Sequence, residues 1–325
     1  LSLLASPRNF LILQALTEGP KRRIQLRRAA GSPAQTTISG DLGCLEEIGA
    51  IVKQRCNSFP GVIEYRLGKP GRDLLFVAAV LERWLSTAPE EPLELGSEAA
   101  KAAIKTLVEG WSTAILRALA TSPLSLTQLD RVIGALNYPA LEYRLDAMRL
   151  AGHVEAHPSN GRSTPWGVTD WLRRGVGPIV AACRWERRHA RADSGPITRI
   201  DIEAALLLAM PLLTLPTELS GSCRLGVELT DGSEHRLAGA MVCVERGEIA
   251  LCTVRLQGHP EAWSTGSVDA WLQAIIESDV DQIEIGGDQR LARALIEGLH
   301  AALVGSETIQ AARLTRSMPP KIEYA

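Results

Sequence analysis

The sequence predicts a multidomain α+β protein. One small domain of helices closed by a β-hairpin is written twice, and an α+β sandwich of different grammar follows. Three observations carry this expectation. Leu13, Leu16, Gln25, Leu26, Arg28, Gly31, Leu42, Leu45, Gly49 and Ile51 recur as Leu116, Leu119, Gln128, Leu129, Arg131, Gly134, Leu145, Met148, Gly152 and Val154, at an offset of 103 in all ten pairs. Tyr65, Leu67 and Trp84 recur as Trp166, Val168 and Trp185 at an offset of 101, so the second copy has lost two residues in a loop. A register of this length identifies a repeated structural unit before any residue chemistry is weighed. Charge divides the chain in the same way. Residues 1–75 carry 11 Lys and Arg against 6 Asp and Glu, residues 109–191 carry 11 against 7, and residues 201–304 carry 6 against 16. The net charge of −2 hides this asymmetry.

The expected domains are residues 1–90, 100–190 and 200–305, with a loose polar tail at 306–325. In the first, Pro7–Thr17 reads as a helix ended by Gly19-Pro20, and Lys21–Ala29 as a short basic helix ended by Gly31. Ser32 is the expected N-cap of the next helix, with Pro33 at its first position. That helix buries Ile38, Leu42 and Leu45 at spacings of four and three residues and closes at Gly49. Ala50–Arg55 and Val62–Leu67 alternate about Asn57–Gly61 as a hairpin, and a helix over Asp73–Leu85 completes the unit. The second domain repeats the list: Ala103–Ala120, Leu126–Ile133, Tyr138–Leu150, a hairpin through His157–Thr164, and Thr169–His189. This order is that of a winged helix-turn-helix, whose third helix is the recognition element.

The basic bias of both copies suits a polyanion, because neutralising phosphates releases counterions. With Ile38, Leu42 and Leu45 inward, Gln35, Thr36, Thr37 and Ser39 are the candidates for hydrogen bonding to base edges. Gly40 and Gly43, each costing about 1 kcal/mol in a helix interior, make sense if a partner must approach that backbone closely. Lys21, Arg22, Arg23, Arg27 and Arg28 crowd the positioning helix, where phosphate contacts are expected, and Arg55 and Asn57 sit at the wing. The second copy places Tyr138, Pro139 and Glu142 where the first has Gln35, Thr36 and Ser39; Arg144 and Arg162 restore some charge. It either touches DNA or packs as an internal partner.

Leu42-x-x-Leu45-Glu46-x-x-Gly49-x-Ile51, followed by Phe59-Pro60-x-Val62-x-Glu64-Tyr65-x-Leu67 and Trp84, resembles the HxlR branch of bacterial winged-helix transcription regulators. Gly68 stands where that branch usually has Thr, and the second copy lacks the Pro-x-x-Val-Glu-Tyr wing. The resemblance implies binding to double-stranded DNA. Redox-sensing members place a cysteine before or within the first helix. This chain has none before Cys44, leaving Cys44 and Cys56 as the redox candidates.

In the third domain, helices are expected at Ile202–Leu213, Val268–Ile276 and Leu291–Leu303. Strands are expected at Arg224–Leu229, Ala238–Glu245, Ile249–Leu256 and Gln282–Ile285. Gly258, Ala262-Trp263, Gly266-Ser267, Ala270-Trp271-Leu272 and Ile283-Glu284-Ile285-x-Gly287-Asp288 resemble the sterol-carrier-protein fold. That resemblance implies a sheet covered by helices over an apolar cavity. Trp263 and Trp271 are the residues expected to border a pocket for a small hydrophobic effector, against the alternative that they are core.

No nucleophile, phosphate-loop, dinucleotide or metal motif is present, so an enzyme, a cofactor and a metal site are not expected. No apolar run reaches about 20 residues, and Leu1–Ala5 lacks a signal peptide's charged flank. A cytoplasmic protein without membrane contact is expected, with its six cysteines reduced. The functional expectation is a transcription regulator with an effector-sensing C-terminal domain. The alternative is a constitutive DNA-binding protein whose C-terminal domain forms a homodimer or recruits a partner.

Overall fold

The structure, a computed structural model, describes residues 1–55, 62–110, 112–134, 137–158, 163–189, 195–231 and 234–305. The tips of both expected hairpins, with Cys56 and Asn57 in one and Arg162 in the other, lie outside these residues, as does the expected tail at 306–325. Contacts gather the chain into two compact units. One holds residues 1–105 and 181–194; the other holds 106–180 and 195–305.

The chain opens with α1 (Ser2–Ala5) and α2 (Pro7–Ala15), the latter prolonged by a 3₁₀ turn over Leu16–Glu18. Lys21 and Arg22, expected to begin a helix, instead form a short strand β1 (Lys21–Arg22), and α3 (Arg23–Ala29) follows it. Ser32 does not cap the next helix: it has φ +57°, and its N–H bonds to the Arg27 carbonyl at 2.8 Å. With Gly31 also left-handed, this Schellman-type arrangement satisfies the end of α3, and Ala34 becomes the N-cap of α4 (Gln35–Glu47). The wing is β2 (Ile51–Arg55) antiparallel to β3 (Ile63–Leu67), with β1 added on the far side of β3. Then come α5 (Lys69–Leu85) and α6 (Glu98–Gly110). Helix α5 starts four residues before the expected Asp73 because Gly68 caps it and Pro70 sits in the first turn, where its missing N–H costs nothing. A Cβ at Gly68 would lie 2.0 Å from the Gly49 carbonyl oxygen, which explains glycine there. Ile12, Leu13, Leu26, Ile38, Leu45 and Leu81, all fully buried, form the core of this part.

The expected helix over 103–120 is broken: α6 ends at Gly110 and α7 (Thr113–Leu119) restarts after Ser112, its N-cap. Next come β4 (Leu124–Ser125), α8 (Leu126–Ile133), α9 (Tyr138–Leu150), β5 (Val154–Ala156) and β6 (Pro165–Val168). The element bounds keep the sequence register: α9 begins and ends 103 residues after α4, and β6 ends 101 after β3. Sheet order is also the same, β1-β3-β2 in one and β4-β6-β5 in the other. The expected last helix divides at Gly175 into α10 (Asp170–Arg174) and α11 (Val176–His189). The second half of α11 belongs with α5. The Trp185 indole donates to the Pro70 carbonyl at 2.8 Å, and His189 Nε2 lies 2.9 Å from Asp73 Oδ2.

The C-terminal part is α12 (Arg199–Ala209), β7 (Gly221–Asp231), β8 (Glu234–Glu245), β9 (Glu248–Thr253), β10 (Ala262–Ser267), α13 (Val268–Glu277), β11 (Glu284–Gly287) and α14 (Gln289–Leu303). The sheet has five strands in the order β11-β10-β7-β8-β9, not the four expected. The extra one, β10, holds Trp263 and pairs parallel to β7, with Arg224 opposite Trp263. The β8–β9 turn has positive φ at both Arg246 and Gly247, as a type I′ hairpin requires. Helices α13 and α14 cover one face of this sheet, and α12 packs on β8 and on α7. At that last contact the buried Glu203 carboxylate is held by Arg117 and Arg199, each at 2.6 Å. Arg173 of α10 reaches the Leu207 and Leu208 carbonyls, where α12 leaves its last acceptors unsatisfied.

Candidate nucleic-acid interface

Helices α3 and α4 are locked together by two of the arginines expected at phosphates. Arg27 Nε donates to the Pro33 carbonyl at 2.7 Å, across the turn between the helices. Arg23 donates to the Gln35 carbonyl at 3.2 Å and to Ser39 Oγ. Ser39 in turn donates to the Gln35 carbonyl at 2.6 Å. These bonds give three of the expected contact residues a role inside the protein: Arg23 and Arg27 brace the helix-turn-helix, and the Ser39 hydroxyl links Arg23 to the Gln35 carbonyl. Arg22 is exposed and reaches Glu64 of the wing at 3.5 Å. Gln35 and Thr36 are exposed at the start of α4, and Thr37 is half-buried. Arg28, from the same basic run, is exposed and has no ion pair among the described residues.

In the wing, Tyr65 and Ile51 point into the core, so Lys53 and Arg55 share their face. Lys53 pairs with Glu46 of α4, which fixes that face beside the recognition helix. Arg55, exposed two residues nearer the tip, is therefore carried on the same side as α4. Exposed Gln54 and Arg66 lie on the other face of the wing and had not been singled out.

The outward line of α4 is Thr36, Gly40, Gly43, Cys44 and Glu47, all exposed. A Cβ added at Gly40 or Gly43 would meet no atom within 4 Å, so nothing inside the protein requires glycine. Alanine at Gly43 is expected to raise stability by up to about 1 kcal/mol. It should weaken DNA binding if the bare backbone admits the duplex. Chemical denaturation and a binding titration on the same variant check both signs, and unchanged affinity would remove the reason offered for the glycine.

The corresponding line of α9 has a different character. Tyr143 is 77% exposed, Leu150 78%, Tyr138 45%, and Val132 of α8 62%. Glu142 and Asp146 stand among them. Arg144 turns to Ser112 Oγ at 3.4 Å, and Arg149 lies 3.5 Å from Asp146. Behind this helix, His153 is buried where the first copy has Ala50. Neither of its ring nitrogens has a hydrogen-bond partner, and burial pushes its pKa down to about 4.

The structure does not bring Trp263 and Trp271 together. The Trp271 indole is buried on the helix side and donates to the Gly226 carbonyl at 2.7 Å. A Cβ at Gly266 would touch Ala270 of α13, so Ala262, Ser264 and Gly266 face the helices and Trp263 faces away. The expectation that both border one pocket between sheet and helices is thus corrected: strand alternation puts them on opposite faces. Burial pushes the Cys223 and Cys252 thiols up to about 12, away from reactive thiolate. Among the described residues no cluster of His, Cys, Asp and Glu could hold a metal ion, and no helix is long and apolar enough to cross a membrane.

Residues 21–67 thus form a helix-turn-helix braced by arginines and followed by a two-stranded wing. Residues 3–91 match the HxlR-like helix-turn-helix family. No curated protein matches the chain.

Proposed function

We infer that the protein is a DNA-binding transcription regulator that reads double-stranded DNA with α4. The observation that carries this is the exposed face of Gln35, Thr36, Gly40 and Gly43, with Arg55 of the wing on the same side and Arg28 exposed on α3, inside the segment matched to the helix-turn-helix family. Gln can bond adenine bidentately, the Thr methyl suits a thymine methyl, and the flanking cations suit phosphates. Residues 113–168 are read as a second winged helix, on the strength of the shared offsets and sheet order. Its outward Tyr143, Leu150 and Glu142 suit a phosphate-lined groove poorly, so the first copy is the reader. The C-terminal sheet, with helices on one face as the sterol-carrier likeness implies, is read as the part that senses an effector. Catalysis forms no part of this reading, and a cytoplasmic location suits it.

Selection of bound sequences from a random duplex pool tests the assignment. Gln35→Ala should relax preference at one position, by about 1–3 kcal/mol of discrimination. Arg28→Ala should weaken binding to every sequence and reduce the salt slope by about 1. If Gln35→Ala leaves preference intact while Tyr138→Ala abolishes it, the two copies have been assigned in reverse.

One observation favours the alternative of a constitutive binder that dimerises through its C-terminal part. Strand β9 is a sheet edge, and its Leu251 is 54% exposed. Sedimentation of wild type and Leu251→Lys separates the readings, since a dimer built on this edge should dissociate in the variant.

A further inference from the structure

We propose that the helix-free face of the C-terminal sheet binds a small amphipathic carboxylate, whose head group is taken by Arg224. This rests on reading the C-terminal part as effector-binding, and it places the ligand on the side of the sheet opposite Trp271. Residues of β7 alternate between faces. Cys223, Leu225 and Val227 are buried toward the helices, while Arg224 and Gly226 point the other way. Direct register sets Trp263, Arg224 and Met241 in one row across β10, β7 and β8. The next row is Thr265, Gly226 and Gly239. Both glycines are buried, and the Leu237 and Thr265 side chains cover Gly226. The Leu237 methyls lean over it, 3.0 and 3.2 Å from where a Gly226 Cβ would be, and Thr265 Oγ1 stands 3.2 Å from the same point. The Trp263 indole lies over Gly286, away from Arg224, which keeps the row open on that side.

Arg224 gives this surface its chemistry. Its Nε is buried without a hydrogen-bond partner. No carboxylate lies within ion-pair distance of it among the described residues, in a region where 16 acidic residues face 6 basic ones. A half-buried guanidinium in this state lacks the bidentate acceptor that its planar fork fits best. Met241 beside it and Leu237 over Gly226 supply an apolar bed, so the complement is one negative charge on an apolar body. A dianion is disfavoured by Glu228 and Glu284, which point to the same face.

Calorimetric titration of the full chain with sodium octanoate and with octan-1-ol tests this. Octanoate should bind at least tenfold more tightly than the alcohol. Arg224→Gln should abolish that preference, and Arg224→Lys should keep part of it. Gly226→Ala, whose Cβ would push Leu237 from its place beside the row, should weaken both ligands. Thermal unfolding confirms that each variant is folded. Equal affinity for acid and alcohol, no binding of either, or unchanged octanoate affinity in a folded Arg224→Gln variant would each overturn the site. DNA binding measured on the same samples separates the two readings. Arg224-dependent octanoate binding with no change in DNA affinity supports the site and removes the effector role.

Discussion

Acidification from pH 7 to 4 is expected to cost the fold about 3 kcal/mol at His153 alone. The buried ring has a folded pKa of about 4, against about 6.5 for an unfolded histidine. Below pH 6.5 the unfolded chain takes up a proton that the folded one refuses, so stability falls from there to about pH 4 and then levels. The geometry agrees: both ring nitrogens are buried without partners, and the ring's neighbour is the apolar Trp171, with centroids 5.7 Å apart. His153→Met keeps similar bulk without the polar atoms. It should be more stable than wild type at pH 7, because an orphaned buried polar group costs about 1–3 kcal/mol. Its advantage should grow by about 3 kcal/mol on going to pH 4. Urea unfolding at several pH values, with amide exchange of Val154 and Val168 as the local readout, decides the matter. Parallel profiles for wild type and variant would show that His153 finds a partner or water on protonation.

Loss of Arg117 is expected to cost about 3 kcal/mol, the low end for a buried ion pair broken from one side. Glu203 is 1% exposed, and its two oxygens accept from Arg117 and Arg199, so each guanidinium satisfies one oxygen. Arg199 is more exposed and sits on Glu203's own helix, four residues away, whereas Arg117 comes from α7. Arg117→Met should therefore strand one carboxylate oxygen and loosen the packing of α7 on α12. Adding Glu203→Leu should recover most of the loss, since an apolar pair of similar volume replaces buried ions at little or no cost. Chemical denaturation of the two single variants and the double variant measures this. A double variant no better than Arg117→Met would mean that the helices depend on the ion pair itself.

Much of the first interface was legible because its signals are local. The spacing of Ile38, Leu42 and Leu45 determines which face of α4 is buried, and hence that Gln35 and Thr36 are exposed. What Arg23 and Arg27 do was not legible. A run of basic residues looks the same whether its side chains meet phosphate or, as here, the carbonyls of Pro33 and Gln35. Arg28 shares their composition and differs only in having no such acceptor.

The sequence by itself determined the repeated offset of 103 and both ends of α9, because periodicity and punctuation act within a few residues, whereas α4 starts two residues later than its Pro33 suggested. It also determined the charge partition and the position of most C-terminal elements. Only the tertiary structure decided that Lys21 and Arg22 form a strand, since that depends on Tyr65 and Glu64, more than forty residues away. It alone showed that residues 262–267 pair parallel to β7, that Trp263 faces away from the helices, and that the end of α11 belongs with α5. These outcomes share one physical reason. Strand pairing, the face a side chain occupies and the partner of a buried charge are all set by groups distant in sequence, and no local pattern encodes them.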